Sequence, residues 1–380
     1  MDHGSRLILA YADAQGALER LEERRRLSPV RRPWRIRTLI AERQALARID
    51  NSPIDDQAFT IDGRGAVLPS AFDLSHWRQA IGAPITLDML LNDGLGVMRW
   101  LGIVAANGMD AAPALRSGRS PEDILPAIAL WQQAAAALPP SPPLLQSAQL
   151  FHLWQRHAPI GHGDLVASLL VGDRWGPVSY THLDVYKRQL FHLWQRHAPI
   201  GHGDLVASLR GGDRWGPGRW LGSAGGLIAL GLDNSSVAWR QASGERLDMI
   251  WLEAIAAGAH AHLDLETRLR AYAWRAAQHI EQRRRPGRLK DVLRLAMTHP
   301  RISSGSVAKA VGLTSAGAIK LLAIAESEGL LIEQSGQASY RSYALPINMK
   351  SIAARRPPQD WLIDDFWSDE PENTASPEPL

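Results

Sequence analysis

Apolar residues recur at three- and four-residue spacing along most of the chain, and the breaks in that rhythm fall at proline and glycine. In the first 50 residues, ALERLEERRR and IRTLIAERQALARID combine this spacing with alternating charge, which predicts helices separated at Pro29 and Pro33. Arg24, Arg25 and Arg26 then read as a solvated helix face. Phe59–Pro69 fits a short hairpin turning at Asp62-Gly63. From Thr86 to Leu138 the helical rhythm returns, interrupted at Gly108 and at Arg116–Pro121, with Ser120 as an N-cap. Pro139–Pro143 (PPSPP) forces a turn before a helix at Leu144–Arg156, a glycine-rich stretch at His157–Asp164 and an onward helix. Leu221–Leu232 and Leu247–Arg285 read as long helices of a buried core.

A different rhythm begins after the charge-dense Glu281–Lys290. Leu289–Thr298 is one amphipathic helix, Ser304–Val311 a second, Gly312-Leu313-Thr314 a tight turn and Ser315–Glu328 a third helix. Ala308 is small where the last two helices cross, and Gly312 supplies the left-handed turn. Two strand-like runs follow, Leu330–Glu333 and Tyr340–Leu345, joined around Gly336 in the shape of a β-wing. The expected fold is therefore mainly α. A helical domain over 1–282 precedes a winged helix-turn-helix over 283–346, and 347–380 is rich in Pro, Ser and Glu and reads as a disordered acidic tail. Trp361, Leu362, Phe366 and Trp367 could form a short partner-binding helix within that tail, or a helix folded back on the body.

One repeat interrupts this organisation. Gln149–Leu169 (QLFHLWQRHAPIGHGDLVASL) recurs letter for letter at Gln189–Leu209, and GDRWGP recurs at Gly172–Pro177 and Gly212–Pro217. Solenoid units drift in sequence and stack at least three deep, and two perfect copies do neither. Val178–Arg188 (VSYTHLDVYKR) between them resembles an adaptor-derived peptide that recurs in translated metagenomic assemblies. Residues 150–189 are accordingly expected to be an artefactual duplication, and a chain lacking them is expected to be at least as stable.

Composition narrows the chemistry. The 380 residues are 45% apolar and 21% charged and contain no cysteine, which excludes disulfides, thiol catalysis and cysteine-ligated metals. No segment approaches the roughly 18 apolar residues of a membrane span, so a cytoplasmic protein is expected. The net charge is only +3, but residues 287–346 carry seven bases against four acids. Arg283, Arg284, Arg285 and Arg288 form a basic collar suited to phosphates of double-stranded DNA, joined by Lys309 and Arg341. Thr314, Ser315 and Lys320 lead the third helix on its exposed side, together with Ala316 and Ile319. None of these makes a bidentate contact to a base edge, so only modest sequence specificity is expected. A purely protein-docking use of the module stays open beside DNA binding.

Histidines 152, 157 and 162 with Asp164, repeated as 192, 197, 202 and Asp204, invite a metal reading. Five-residue spacing splays them on a helix, so local hydrogen bonding is preferred and neither metal nor cofactor is expected. The run PPLLQSAQLFHLWQRHAPIGHGDLVASL is similar to the active-site helix-loop-helix of Fic proteins, whose loop reads H-P-F-x-D-G-N-G-R and transfers AMP to a hydroxyl. The resemblance puts His157 or His197 at the base and Asp50 and Asn51 of LARIDN on an inhibitory helix. Gly161 or Gly201 stands where the metal-binding acid belongs, His162/His202 and Gly163/Gly203 fall in the anion nest, and Leu165 or Leu205 replaces the phosphate arginine. It therefore implies a degenerate relative with no catalytic residue assigned, and a Fic-type nucleotidyl transferase stays open as an alternative function beside protein docking. As a whole the chain resembles an uncharacterised bacterial family that joins a domain of unknown function to a C-terminal helix-turn-helix. That likeness is strongest over 287–333 and implies a regulator-like DNA-binding protein.

Overall fold

A computed structural model describes residues 3–51, 54, 59–61, 67–69, 87–105, 119–139, 141–161, 163–172, 226–233, 239–283, 287–336 and 341–348. The protein is mainly helical, and 12 helices lie among the described residues. Helices α1 (His3–Leu27) and α2 (Arg31–Ile49) precede strands β1 (Phe59–Ile61) and β2 (Val67–Pro69), which pair with each other, while the expected turn at Asp62-Gly63 lies outside the described residues. Then come α3 (Leu87–Asn92), α4 (Gly94–Trp100), α5 (Pro121–Ala136), α6 (Pro143–His157), α7 (Asp164–Gly172), α8 (Leu227–Asp233) and α9 (Gly244–Glu281). Pro33 does not break α2, contrary to expectation: it lies in the first turn, where its missing N–H has no intrahelical partner to lose. Ser120 caps α5 by accepting from the Asp123 amide at 3.3 Å.

The described residues divide into two compact units, one drawn from Met1–Glu22, Ala41–Ala58 and Pro69–Ala261, the other from Glu23–Ile40, Phe59–Leu68 and His262–Leu380. In the first, α6 and α7 pack on each other around buried aromatics. Trp131 and Trp154 meet edge to face at 5.0 Å, and Phe151 lies 4.7 Å from Trp251, whose indole N–H donates to the Ser147 hydroxyl. Helices α8 and α9 approach to backbone contact through two glycines. A Cβ on Gly231 would stand 2.0 Å from the Ala254 carbonyl oxygen, and one on Gly258 would stand 2.2 Å from that of Leu227. The first copy of the repeat supplies α6 from Gln149 onward and the start of α7, and α7 buries Leu169, Leu170 and Val171. The second copy, Gln189–Leu209, lies outside the described residues, as does the tail with Trp361–Trp367.

The second unit begins in sequence far from where the pattern put its boundary. Trp34 of α2 donates its indole N–H to the His262 carbonyl at 2.9 Å, and Ser28 donates to the buried Glu266 carboxylate at 2.9 Å. Arg24 is not merely solvated: its guanidinium lies 3.6 Å from Glu266, because a carboxylate buried on α9 draws the cations within reach, Arg270 included. Burial, with Arg25 nearby, holds the His262 imidazole far below its ordinary value, at about 3. The unit continues with α10 (Leu289–Thr298), β3 (Ile302–Ser303), α11 (Ser304–Val311), α12 (Ser315–Ser327), β4 (Ile332–Glu333) and β5 (Ser342–Ala344). Leu289, Val292, Leu293, Ala296 and Met297 make the buried stripe of α10. The three strands form an antiparallel sheet in the order β3-β5-β4, with Ile302 opposite Tyr343 and Ile332 opposite Ala344. Strand β3 is too short to leave a period-2 signature in the sequence, and β4 and β5 are shorter than the apolar runs that contain them.

Candidate functional site

Helices α11 and α12 are joined by the turn Gly312–Thr314 and their axes bend by 112°. Each feature of that corner has a local cause. Ser303 and Ser306 form a reciprocal capping box that starts α11, and Gly312 ends it at φ +67°, a conformation open to glycine but strained for other residues. The Thr314 hydroxyl caps α12 by accepting from the Gly317 amide at 3.1 Å. Ala318, Leu322 and Ala325 face inward, while Thr314, Ser315, Ala316, Ile319, Lys320 and Ala323 are exposed. Ile319 is 56% exposed on that face. Lys309 is exposed near the end of α11.

The two collar arginines among the described residues, Arg283 and Arg288, are occupied by the protein itself. Arg283 bonds the Glu328 carboxylate at 2.6 Å, with His279 on the other oxygen at 2.6 Å, tying the end of α9 to the end of α12. Arg288 donates to the Val311 carbonyl at 2.6 Å and pairs with Asp291 at 2.8 Å, so one guanidinium closes the C-terminal end of α11. Arg284 and Arg285 lie outside the described residues. Arg341 is exposed beside Glu333 at 3.7 Å, and Tyr343 and Glu333 favour its charged form. Sequence reasoning missed Arg37 of α2. Its guanidinium donates to the carbonyls of Ala296, Met297 and His299 at 2.7, 2.6 and 3.0 Å and caps α10 from more than 250 residues away in sequence.

In the first unit the glycine-rich loop closes on its own acid. Trp154, Ile160 and Gly161 donate to the Asp164 carboxylate at 2.8, 3.1 and 2.7 Å, the first from the indole and the others from backbone amides. Ala158 at φ +38°, Gly161 at +89° and Gly163 at +85° bend the backbone so that these amides converge. Burial pushes the Asp164 carboxyl up from its ordinary value, opposed by these bonds and by Arg119. The amides at Ile160 and Gly161, on the loop that the Fic resemblance assigns to phosphate, thus hold an internal carboxylate instead. His157 ends α6 and is half-buried, and among the described residues no cluster of histidines and carboxylates could hold a metal ion. No single described helix is long and apolar enough to cross a membrane. No family model matches this sequence, and a search of curated proteins finds no match either.

Proposed function

We propose that the second unit carries a winged helix-turn-helix that binds double-stranded DNA, and that the protein acts as a transcription-regulator-like factor of the cytoplasm. The observation that carries this reading is the arrangement of α10 to β5. A helix and a short strand lead into two helices crossing at 112° and then a two-stranded wing, and the outward face of α12 is left exposed. Thr314, Ser315 and Lys320 stand on that face for the major groove, and Lys309 and Arg341 flank it for phosphates.

The test uses the full chain, because Arg37, Trp34 and Tyr272 tie elements outside 283–346 into this unit. Fluorescence anisotropy with a labelled duplex across a salt series should give affinity that falls linearly in log–log form as salt rises. Changing Ser315 and Lys320 to alanine should narrow the gap between preferred and random DNA by on the order of 1–3 kcal/mol per lost base contact. Salt-independent failure to bind would leave a second reading, in which α12 docks a protein through Ile319 and its alanine neighbours.

A further inference from the structure

The outward face of α12 carries its charge at an edge and its largest apolar side chain near the centre. At roughly 100° of turn per residue, the exposed positions Ser315, Ala316, Ile319, Lys320, Ala323 and Ser327 fall within an arc of about 140°. Ser315 and Lys320 stand at the two edges of that arc, and Ile319 and Ala323 lie nearer its middle. Ile319 is 56% exposed and its neighbours Ala316 and Ala323 are short, so its side chain projects beyond them. Ala318, Leu322 and Ala325 on the opposite side supply the buried contacts of the helix. We propose that this face reads thymine, with Ile319 packing on the C5-methyl group that thymine presents in the major groove and the two alanines leaving room for the base-pair edges beside it; the proposal rests on the DNA-binding reading above.

Three physical points carry it. Thymine is the one standard base with an apolar group on its major-groove edge, and covering that methyl with an isoleucine takes apolar surface of both partners out of water. The reading is therefore apolar contact rather than hydrogen bonding, which fits a face whose Thr314 hydroxyl is already engaged as the helix cap, accepting from the Gly317 amide at 3.1 Å. Charge fits the same occupant. Lys320 is the only charged residue from Thr314 to Ala323, so nothing on this stretch repels a polyanion, and Glu328 farther along is held by Arg283 and His279. Position fits as well, because Ile319 lies in the first two turns of α12, the part of a recognition helix that meets base edges. The cap at Thr314 and the ion pairs at Glu328 fix both ends of the helix, so Ile319 is presented without a cost of ordering on binding.

The experiment starts from duplexes that the full chain enriches out of a random-sequence library. Each thymine is replaced in turn by deoxyuridine, which removes only the C5-methyl and keeps the base pairing, and affinity is measured by fluorescence anisotropy for the wild type, Ile319→Ala and Ile319→Val. The wild type should lose roughly fourfold in affinity at a thymine that Ile319 covers, with the salt slope unchanged because no phosphate contact is lost. Ile319→Ala should bind the thymine and deoxyuridine duplexes equally, and Ile319→Val should keep part of the difference. Ile319 lies outside the core, so both variants should melt at the wild-type temperature. Equal wild-type affinity for every thymine and deoxyuridine pair would overturn the thymine reading and leave salt-dependent DNA binding standing. A deoxyuridine penalty that survives in Ile319→Ala would assign the methyl effect to another residue or to DNA stacking and also overturn the proposal. Failure of the wild type to enrich or bind any duplex would overturn both readings and leave the face to a protein partner.

Discussion

Asp164 shows how one side chain can decide what a loop does. Its carboxylate gathers the Trp154 indole and the Ile160 and Gly161 amides, all donors, in a setting only 7% exposed. Asp164→Asn keeps the size but turns an NH₂ group toward donors, leaving at least one buried donor unpaired. Chemical denaturation should show a loss of about 1–3 kcal/mol. The pH dependence has a definite sign: burial raises the native pKa, so the native state binds more protons than the unfolded one just above the ordinary carboxylate range. That part of wild-type stability declines as pH rises through the raised value, and the asparagine variant lacks the decline. A variant as stable as the wild type at all pH values would show that the carboxylate does not organise the loop. The sequence exposed the loop's glycines and histidines but not this closure, because nothing in HAPIGHGD distinguishes an acid that binds a ligand from one that folds back on its own amides.

At the scale of elements, the corner of α11 and α12 was legible because its signals are local: the helix bounds at Val311 and Ser315 and the left-handed Gly312 follow from neighbouring residues, and the structure adds a serine and a threonine cap within the same dozen positions. Arg37 was not legible, since its function is to cap a helix distant in sequence and its own surroundings read as an ordinary charged helix. The close crossing of α8 and α9 was hidden in the same way. Gly231 and Gly258 look like weak points in two helices, yet each sits against the other helix's backbone. Gly231→Ala would improve helix propensity and still destabilise the protein, because its methyl would collide with the Ala254 carbonyl and push the helices apart. Thermal unfolding should show a loss of about 1–3 kcal/mol. An unchanged or raised melting temperature would mean that the two helices do not cross at these residues.

At the scale of the whole molecule, the repeat matters most, and the structure changes how it should be removed. The two copies differ only where Leu170-Val171 in the first becomes Arg210-Gly211 in the second. In α7 both Leu170 and Val171 are fully buried. Deleting 150–189 would keep the second copy and so put arginine and glycine at those two core positions. Deleting 178–217 keeps the first copy, removes the adaptor-like peptide and the duplicate together, and joins Pro177 to Gly218 with α7 intact. The two shortened chains have equal length and differ at only these two residues, which makes them a direct comparison. Burying an arginine where leucine packed and losing the valine side chain to glycine should make the first deletion less stable by at least ~2 kcal/mol. The second should melt no lower than the 380-residue chain, since the segment it removes duplicates one whose place in the core is already filled. Equal melting temperatures for the two deletions would mean that α7 tolerates Arg-Gly at its end, and the burial of Leu170 and Val171 would then not be what anchors α7 to the core.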